Sequence, residues 1–184
     1  MPKIKLLKKK ILAKDTLVVT SRIVLPNDTN TLGNLFGGEL LAWMDNCAAI
    51  AAGRFCKRVV VTASVGNVSF HKPIKLADVV TLEAKVSRSF SSSMEVVIDV
   101  FTDPVGNEAM KKCAEGIYNF VAVDQHGSTI EVPQIVPETD LEKERYNAAL
   151  RRKQLSLILA RKMQPEDATE LKALFFPKEV QANN

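Results

Sequence analysis

The sequence predicts an α+β fold in which an antiparallel sheet curls around one long central helix. Three observations carry this. From Leu40 to Ala52, eleven of thirteen residues are apolar, broken only by Asp45 and Asn46, and a helix apolar on nearly every side belongs inside something. Beyond it the period changes to two. Val80, Leu82, Ala84 and Val86 alternate with Thr81, Glu83, Lys85 and Ser87, and Met94, Val96, Ile98 and Val100 alternate with Glu95, Val97, Asp99 and Phe101, as in strands. Short turn-forming stretches separate these runs: Ser91-Ser92-Ser93, Asp103-Pro104-Val105-Gly106-Asn107 and Asp124-Gln125-His126-Gly127. Connections this short join antiparallel neighbours.

Taken in order, Leu17 to Leu25 alternates as a strand, Pro26 ends it, and Asn27-Asp28-Thr29-Asn30 has turn composition. Gly33-Asn34-Leu35-Phe36-Gly37-Gly38 leads into the apolar helix. Small residues (Cys47, Ala48, Ala49, Ala51, Ala52) fill the second half of that helix, and Gly53 is its expected stop. Val59 to Phe70 and Cys113 to Val123 read as further strands. Pro133 and Pro137 mark the exit from the sheet. Glu138 to Met163 reads as a helix acidic at its start and basic at its end, complementing the helix dipole. A short final helix is expected from Pro165 to Leu174, and a frayed end over Gln181 to Asn184. The expected organisation is a basic segment over 1–15, one domain over 16–137 and a charged helical tail over 138–184. No internal repeat is seen.

The chain has 184 residues, 46% apolar, and a net charge of +4. Such composition excludes a disordered chain, and no run reaches the 18 or so apolar residues of a membrane helix. The charge is uneven. Residues 1–15 hold six Lys against one Asp, residues 16–140 ten basic against fourteen acidic, and residues 141–184 nine against six. The body is therefore acidic and the two ends basic. After the lysines, Ile11-Leu12-Ala13 is too short for the apolar core of a secretory signal, and the stretch lacks the Arg and Ser of a transit peptide. Cys47, Cys56 and Cys113 lie in apolar stretches and cannot all pair, which fits a reduced, cytoplasmic protein. Their spacing offers no metal-ligand pair, and there is no phosphate loop or dinucleotide fingerprint, so no metal and no cofactor are expected. The basic ends raise the alternative of a nucleic-acid or anionic-surface binder. The acidic body and the lack of interleaved aromatic and basic residues speak against it.

Asp45 is the anomaly in the apolar helix. A carboxylate there is costly unless it is paired, hydrogen-bonded or turned outward. Near it in sequence stand Gly37 and Gly38, at a helix start where free N–H groups and the positive dipole end favour a developing oxyanion, and Asn34, a side-chain amide. These parts suit hydrolysis of an acyl group. The alternatives stay open: Asp45 facing outward or bound by sheet backbone, and the glycine pair serving close packing alone. Trp43 is expected in the core or an interface, Cys47 in packing, and His126 in an exposed turn. His71, before Pro73, stands apart in sequence from the glycine-rich helix start.

The stretch VLPNDTNTLGNLFGGELLAWMDNCAAIAA, followed by VVTASVGNVSFHKPIKLADVVTLEA and VPQIVPETDLEKERYNAALRRK, resembles the acyl-coenzyme A thioesterases of the hotdog fold. It is most similar to their cytosolic acyl-CoA hydrolase branch, with its GNxxGG…MD pattern, over about Thr16 to Arg152. The resemblance implies an antiparallel sheet wrapped around one helix and release of free fatty acid and coenzyme A. It implies Asp45 as the catalytic carboxylate, Asn34 as the active-site amide, and N–H groups near Gly37 and Gly38 polarising the thioester carbonyl. Asp45 would activate water or attack directly to form an anhydride. In the family the carboxylate and amide come from facing protomers. Holding both in one chain implies a homodimer with two complete sites, assembled into a trimer of dimers. Coenzyme A contacts are implied at Thr62, Ala63, Ser64, Arg88, Ser91, Ser92 and Ser93, with Arg151, Arg152 and Lys153 toward the 3′-phosphate. Two alternatives accompany it: a non-catalytic acyl-CoA binder, and a dehydratase using His71.

Overall fold

A twenty-residue helix, α1 (Gly37–Cys56), lies across one face of a five-stranded antiparallel sheet in the computed structural model, which describes residues 9–103 and 110–175. The strands are β2 (Val18–Ile23), β3 (Val59–Phe70), β4 (Val79–Ser89), β5 (Ser93–Asp103) and β6 (Lys111–Val123), in the spatial order β2-β4-β5-β6-β3. In β4, β5 and β6 the period-two apolar residues turn inward, whereas Leu17, Val19, Ile23 and Leu25 of the first expected strand are exposed. Leu82, Ala84, Val86, Met94, Val96, Ile98, Val100 and Phe120 are completely buried, as are Met44, Ala48, Ala51 and Ala52 on the helix. Helix and sheet approach closely at Gly116, where a methyl group would lie 2.5 Å from Met44 Cε.

The helix runs three residues past its expected stop. Gly53 does not end it, because Phe55 and Cys56 still bury their side chains. The chain turns only at Lys57, whose left-handed backbone (φ 56°) lets its N–H reach the Gly53 carbonyl at 2.8 Å. A second difference concerns the helix surface. It is buried on the sheet side only. Ala42, Asn46 and Ile50 are exposed, and Asp45 is half-buried with them on the stripe turned away from the core. The near-continuous apolar pattern thus covers two faces, of which one chain buries one.

Lys10–Leu12 (β1) pairs in parallel with Gln134–Val136 (β7), tying the basic N-terminal stretch to the chain leaving the sheet. The three cysteines are buried and free, and burial pushes the Cys113 thiol up to about 11. The turn over 104–107 and the end over 181–184 lie outside the described residues.

Two compact units are distinguished, 1–138 and 139–184. In the second, α2 (Asp140–Leu159) opens with a capping box. The Thr139 hydroxyl accepts from Glu142 N, and the Glu142 carboxylate accepts from Thr139 N. The helix ends before the expected Met163 because Arg161 adopts a left-handed backbone (φ 55°). A 3₁₀ turn at Pro165–Asp167 and the short α3 (Thr169–Lys172) follow, and Gln154 Oε1 accepts from Leu171 N at 2.9 Å.

Between β3 and β4, Ala77 also sits in the left-handed region (φ 70°), where its N–H donates to the Val24 carbonyl. A Cβ there costs roughly 1–2 kcal/mol, partly offset by the greater entropy that glycine loses on folding. Ala77→Gly is therefore expected to raise the unfolding free energy by about 0.5–1 kcal/mol, read from urea melts.

Candidate active site

The segment before α1 is a loop closed by one side chain. Asn30 Oδ1 accepts from Leu32 N at 2.9 Å and Asn34 N at 3.2 Å, and Asn30 N donates to the Asn34 carbonyl at 2.7 Å. This is the Asx-type self-bonding that favours Asn in turns. Gly33 supplies the left-handed residue the turn needs (φ 72°). The loop is then pinned to the β3–β4 connection, since Leu35 N donates to the Ile74 carbonyl at 2.7 Å and Asn34 bridges to Lys75. The Asn30 amide is thereby fixed, and its Nδ2 group makes no hydrogen bond among the described residues.

Helix α1 starts from this platform without a side-chain cap. The first intrahelical donors are Glu39 N and Leu40 N, both to the Phe36 carbonyl. The N–H groups of Gly37 and Gly38 make no hydrogen bond among the described residues, and they point with the positive end of the dipole. A cavity of about 380 Å³ opens at this end, walled by Asn30, Asn34, Gly37, Leu40, Phe70 and His71. It is largely apolar with a few polar groups, the usual make-up of a small-molecule site. His71 therefore does reach the glycine-rich helix start, which its place in the sequence did not suggest. Its Nε2 lies 4.0 Å from Glu115 Oε1.

Asp45 sits two turns further along, roughly 12 Å from Gly37 along the axis. Its Oδ1 accepts from Thr62 Oγ1 at 2.9 Å. Tyr118, whose hydroxyl donates to the Leu41 carbonyl at 3.1 Å, is pushed up to about 12 by burial and by the negative charge of Asp45. Thr62 comes forward because β3 is irregular here. Thr62 pairs with Phe120 and Ser64 with Asn119, leaving Ala63 as the extra residue of a bulge, a device that re-aims side chains beside sites. We expect Thr62→Val to lower kcat about tenfold through loss of a hydrogen bond to a charged group, with the melting curve nearly unchanged.

The structure thus brings Asp45 together with Thr62, and Asn34 together with Gly37, but not one pair with the other. Neither Asp45 nor Thr62 lines the cavity at the helix start. Among the other expected contacts, Ser64 Oγ accepts from Asn119 Nδ2 at 3.2 Å, and the Arg88 guanidinium lies 5.8 Å from the Phe90 ring centroid. The carbonyls of Ser91, Ser92 and Ser93 accept from Val132, Ala122 and Phe90, so their backbones build the hairpin. Arg151, Arg152 and Lys153 stand on α2 of the second unit. Trp43 is buried, its Nε1 donating to Glu39 Oε1 and the Arg22 guanidinium stacked 4.9 Å from its ring centroid. Cys47 packs inside. Among the described residues no cluster of His, Cys, Asp and Glu is fit to hold a metal, and no helix is long and apolar enough to cross a membrane.

A model of the thioesterase superfamily matches residues 32–109, the span that holds the helix start, Asp45 and Thr62. A Bacillus subtilis protein named as an uncharacterized acyl-CoA thioester hydrolase is 40% identical over 139 residues, 76% of this chain and 81% of that one. The chain belongs to the thioesterase superfamily. Its fold is the hotdog, the sheet-around-helix arrangement described above, and solved members share it closely. An acyl-CoA hydrolase from Staphylococcus aureus, solved with butyryl coenzyme A and coenzyme A, superposes with a TM-score of 0.76 at 36% identity, over 89% of this chain and 99% of that one. Further structures of the same enzyme carry single alanine replacements of an asparagine, an aspartate and a threonine. An acyl-CoA thioesterase described as hexameric superposes with a TM-score of 0.76 at 32% identity, over 90% of this chain and 99% of that one.

Sequence reasoning passed over Asn30, taking its Asn-Asp-Thr-Asn stretch only as turn composition. The signal was present: an Asn three residues before a Gly is the pattern of a side chain that closes its own loop.

Proposed function

We propose that this thioesterase hydrolyses fatty acyl-CoA to free acid and coenzyme A, in sites that two copies of the chain build together. One observation supports this above the others. The base and the oxyanion donors lie on one helix but roughly 12 Å apart, too far for a water on Asp45 to reach a carbonyl bound at Gly37. A second copy closes the gap if its α1 runs antiparallel to the first. The molecule offers the surface for it: β3 is an edge strand exposing Val59, Val61 and Val65, and Ile50 is exposed on the uncovered helix stripe. An apolar edge strand left open is a pairing surface. The hexameric relative fits a further assembly of three such dimers.

Asn30 is the amide of this site in preference to Asn34. Asn30, Asp45 and Thr62 reproduce the spacing of the three residues replaced in the Staphylococcus aureus enzyme. Asn30 is also the amide whose oxygen is anchored, so its NH₂ is held ready to donate. The thioester carbonyl then lies against the Gly37 and Gly38 N–H groups and the Asn30 amide of one protomer. Thr62 holds Asp45 Oδ1 of the other, leaving Oδ2 to take a proton from the attacking water or to attack the carbonyl carbon itself. When water attacks, the tetrahedral oxyanion collapses, the C–S bond breaks and the coenzyme A sulfur leaves with the proton Oδ2 had taken. When Oδ2 attacks, the thiolate leaves and a water then opens the acyl–Asp45 anhydride, releasing the acid, restoring the carboxylate and supplying the thiolate's proton. In this reading the Ala63 bulge and Ser64 line the path of the substrate's thiol arm, and Arg88, Ser91, Ser92 and Ser93 meet its nucleotide end. Arg151, Arg152 and Lys153 are assigned to the 3′-phosphate by resemblance alone. The reaction takes place in the cytoplasm and needs no cofactor.

The test is release of free thiol across a panel of short to long acyl-CoAs. Turnover of at least one member at kcat above about 1 s⁻¹ is expected of an enzyme in its working range. A chain that binds the whole panel and hydrolyses none is the non-catalytic acyl-CoA binder instead.

A further inference from the structure

The cavity at the helix start is lined on one side for a carbon chain and on the other for a charge. Leu35, Leu40 and Ile74 are buried beneath it and Phe70 forms a wall. Its polar side groups are those of Asn30, Asn34, His71 and Lys72, and no carboxylate lines it. All four can donate a hydrogen bond, and Lys72 brings a full positive charge. The Lys72 ammonium has no ion pair or hydrogen bond among the described residues. Glu115, the carboxylate beside His71, is engaged by the Lys112 ammonium, which also lies 2.7 Å from Asp99. A lysine at a rim can always turn to water, but the backbone of this one is held in place. The N–H groups of His71 and Lys72 both donate to the Cys113 carbonyl, at 2.8 and 3.2 Å, and Pro73 restricts Lys72 to extended values. The ammonium therefore swings from a fixed point two residues past Phe70, at most about 7 Å along the chain. The Phe70 ring in turn comes within 3.8 Å of where a methyl group on Gly37 would stand. A chain of a few carbons spans from the glycine pair to the ammonium.

We propose that the acyl group this site prefers is short and ends in a second carboxylate, which Lys72 binds. This rests on the function proposed above. With the thioester carbonyl at the Gly37 and Gly38 N–H groups, the acyl chain runs past Leu40 and Phe70, and its far carboxylate meets the Lys72 ammonium with the His71 imidazole beside it. A cavity of about 380 Å³ lies near the lower end of the usual range for ligand sites, in keeping with a short chain. Lys72 is exposed without substrate, so its charge costs nothing until the acyl group arrives. A plain alkyl chain offers the ammonium no partner. A carboxylate gives it a charge-assisted hydrogen bond, in a hollow whose apolar floor strengthens the attraction.

Steady-state hydrolysis of glutaryl-CoA and pentanoyl-CoA by the full-length protein tests this, since the two acyl chains match in carbon number and differ in a terminal carboxylate against a methyl. The wild type is expected to show a kcat/KM at least tenfold higher for glutaryl-CoA, the effect of one hydrogen bond between charged groups. Lys72→Met should lose at least tenfold on glutaryl-CoA and stay within about twofold on pentanoyl-CoA, and Lys72→Arg should keep most of the preference. Lys162→Met removes the same charge from the other unit and should leave the ratio unchanged. A wild type that hydrolyses pentanoyl-CoA as well or better, a Lys72→Met protein that loses both substrates alike, or an equal change of ratio in Lys162→Met overturns the proposal. Calorimetric titration of both thioesters into the Asp45→Asn protein, with and without Lys72→Met, repeats the comparison without turnover. Glutaryl-CoA is expected to bind at least tenfold more tightly only where Lys72 is present, and equal affinities overturn the proposal. Failure of the wild type to hydrolyse either thioester removes the thioesterase reading, while the affinity ratio still decides the acyl class.

Discussion

Asp45→Asn is expected to lower kcat for acyl-CoA hydrolysis by roughly 10²–10⁴-fold, the range a positioned general base supplies. The substitution is chosen for what it keeps. Asparagine fills the same volume, and its side-chain oxygen can still accept from Thr62 Oγ1, so the one hydrogen bond holding the carboxylate survives. Asp45 is half-buried on the uncovered stripe of α1 and makes no ion pair among the described residues, so the change leaves no orphaned partner. Stability should move by no more than about 0.5 kcal/mol, as for substitutions away from packed or paired groups. Coenzyme A affinity, measured by titration, should stay within a few-fold, because Asp45 acts on the carbonyl and not on the nucleotide. A variant that keeps a tenth or more of wild-type kcat removes Asp45 from the chemistry. A variant that loses kcat along with coenzyme A binding and fold leaves the carboxylate a structural role instead.

The fold was legible because its signals are periodic and the site less so because its signals are not. Alternation at Val80–Val86 and Met94–Val100 placed two strands on the correct face, since a pleated strand with one buried side has few other solutions. The ends of helices were harder. Gly53 looked like a stop, yet packing of Phe55 and Cys56 outweighed it, and the turn fell on a lysine that no composition rule favours. Asp45 stood out because an ionised group in an apolar run is expensive. Its partner Thr62 did not, because a threonine in a strand is ordinary until a bulge aims it. His71 and Gly37 are far apart in sequence, and only the β3–β4 connection folding back onto the helix start brings them to one cavity. The apolar second face of α1 was read as burial within one chain. It is exposed in one chain, and is the face that the proposed second copy would cover.

That outward face sets the second large effect. Asn30→Ala removes a preorganised amide donor together with the oxygen that closes its loop, and the loss of one such donor by itself costs about 10²–10³ in kcat. Alone, this resembles the loss at Asp45; mixing the two inactive proteins separates the models. If the site lies within one chain, every chain in the mixture is broken and activity stays at the level of the weaker variants. If it spans two, a dimer of one Asp45→Asn chain and one Asn30→Ala chain holds one site with both groups intact and one with neither. Subunits exchanged to equilibrium in equal amounts put half of all dimers in this mixed form, so about a quarter of wild-type activity should return, as the two-fold symmetry of an isologous dimer requires. Partial unfolding and refolding of the mixture allows the exchange, and each variant treated alone is the control. Recovery near a quarter, with KM close to the wild-type value, places Asn30 and Asp45 on facing protomers. No recovery in dimers shown by mass to be mixed puts the two groups to work within one chain, and the roughly 12 Å of helix between Gly37 and Asp45 would then have to close by a motion of α1 itself.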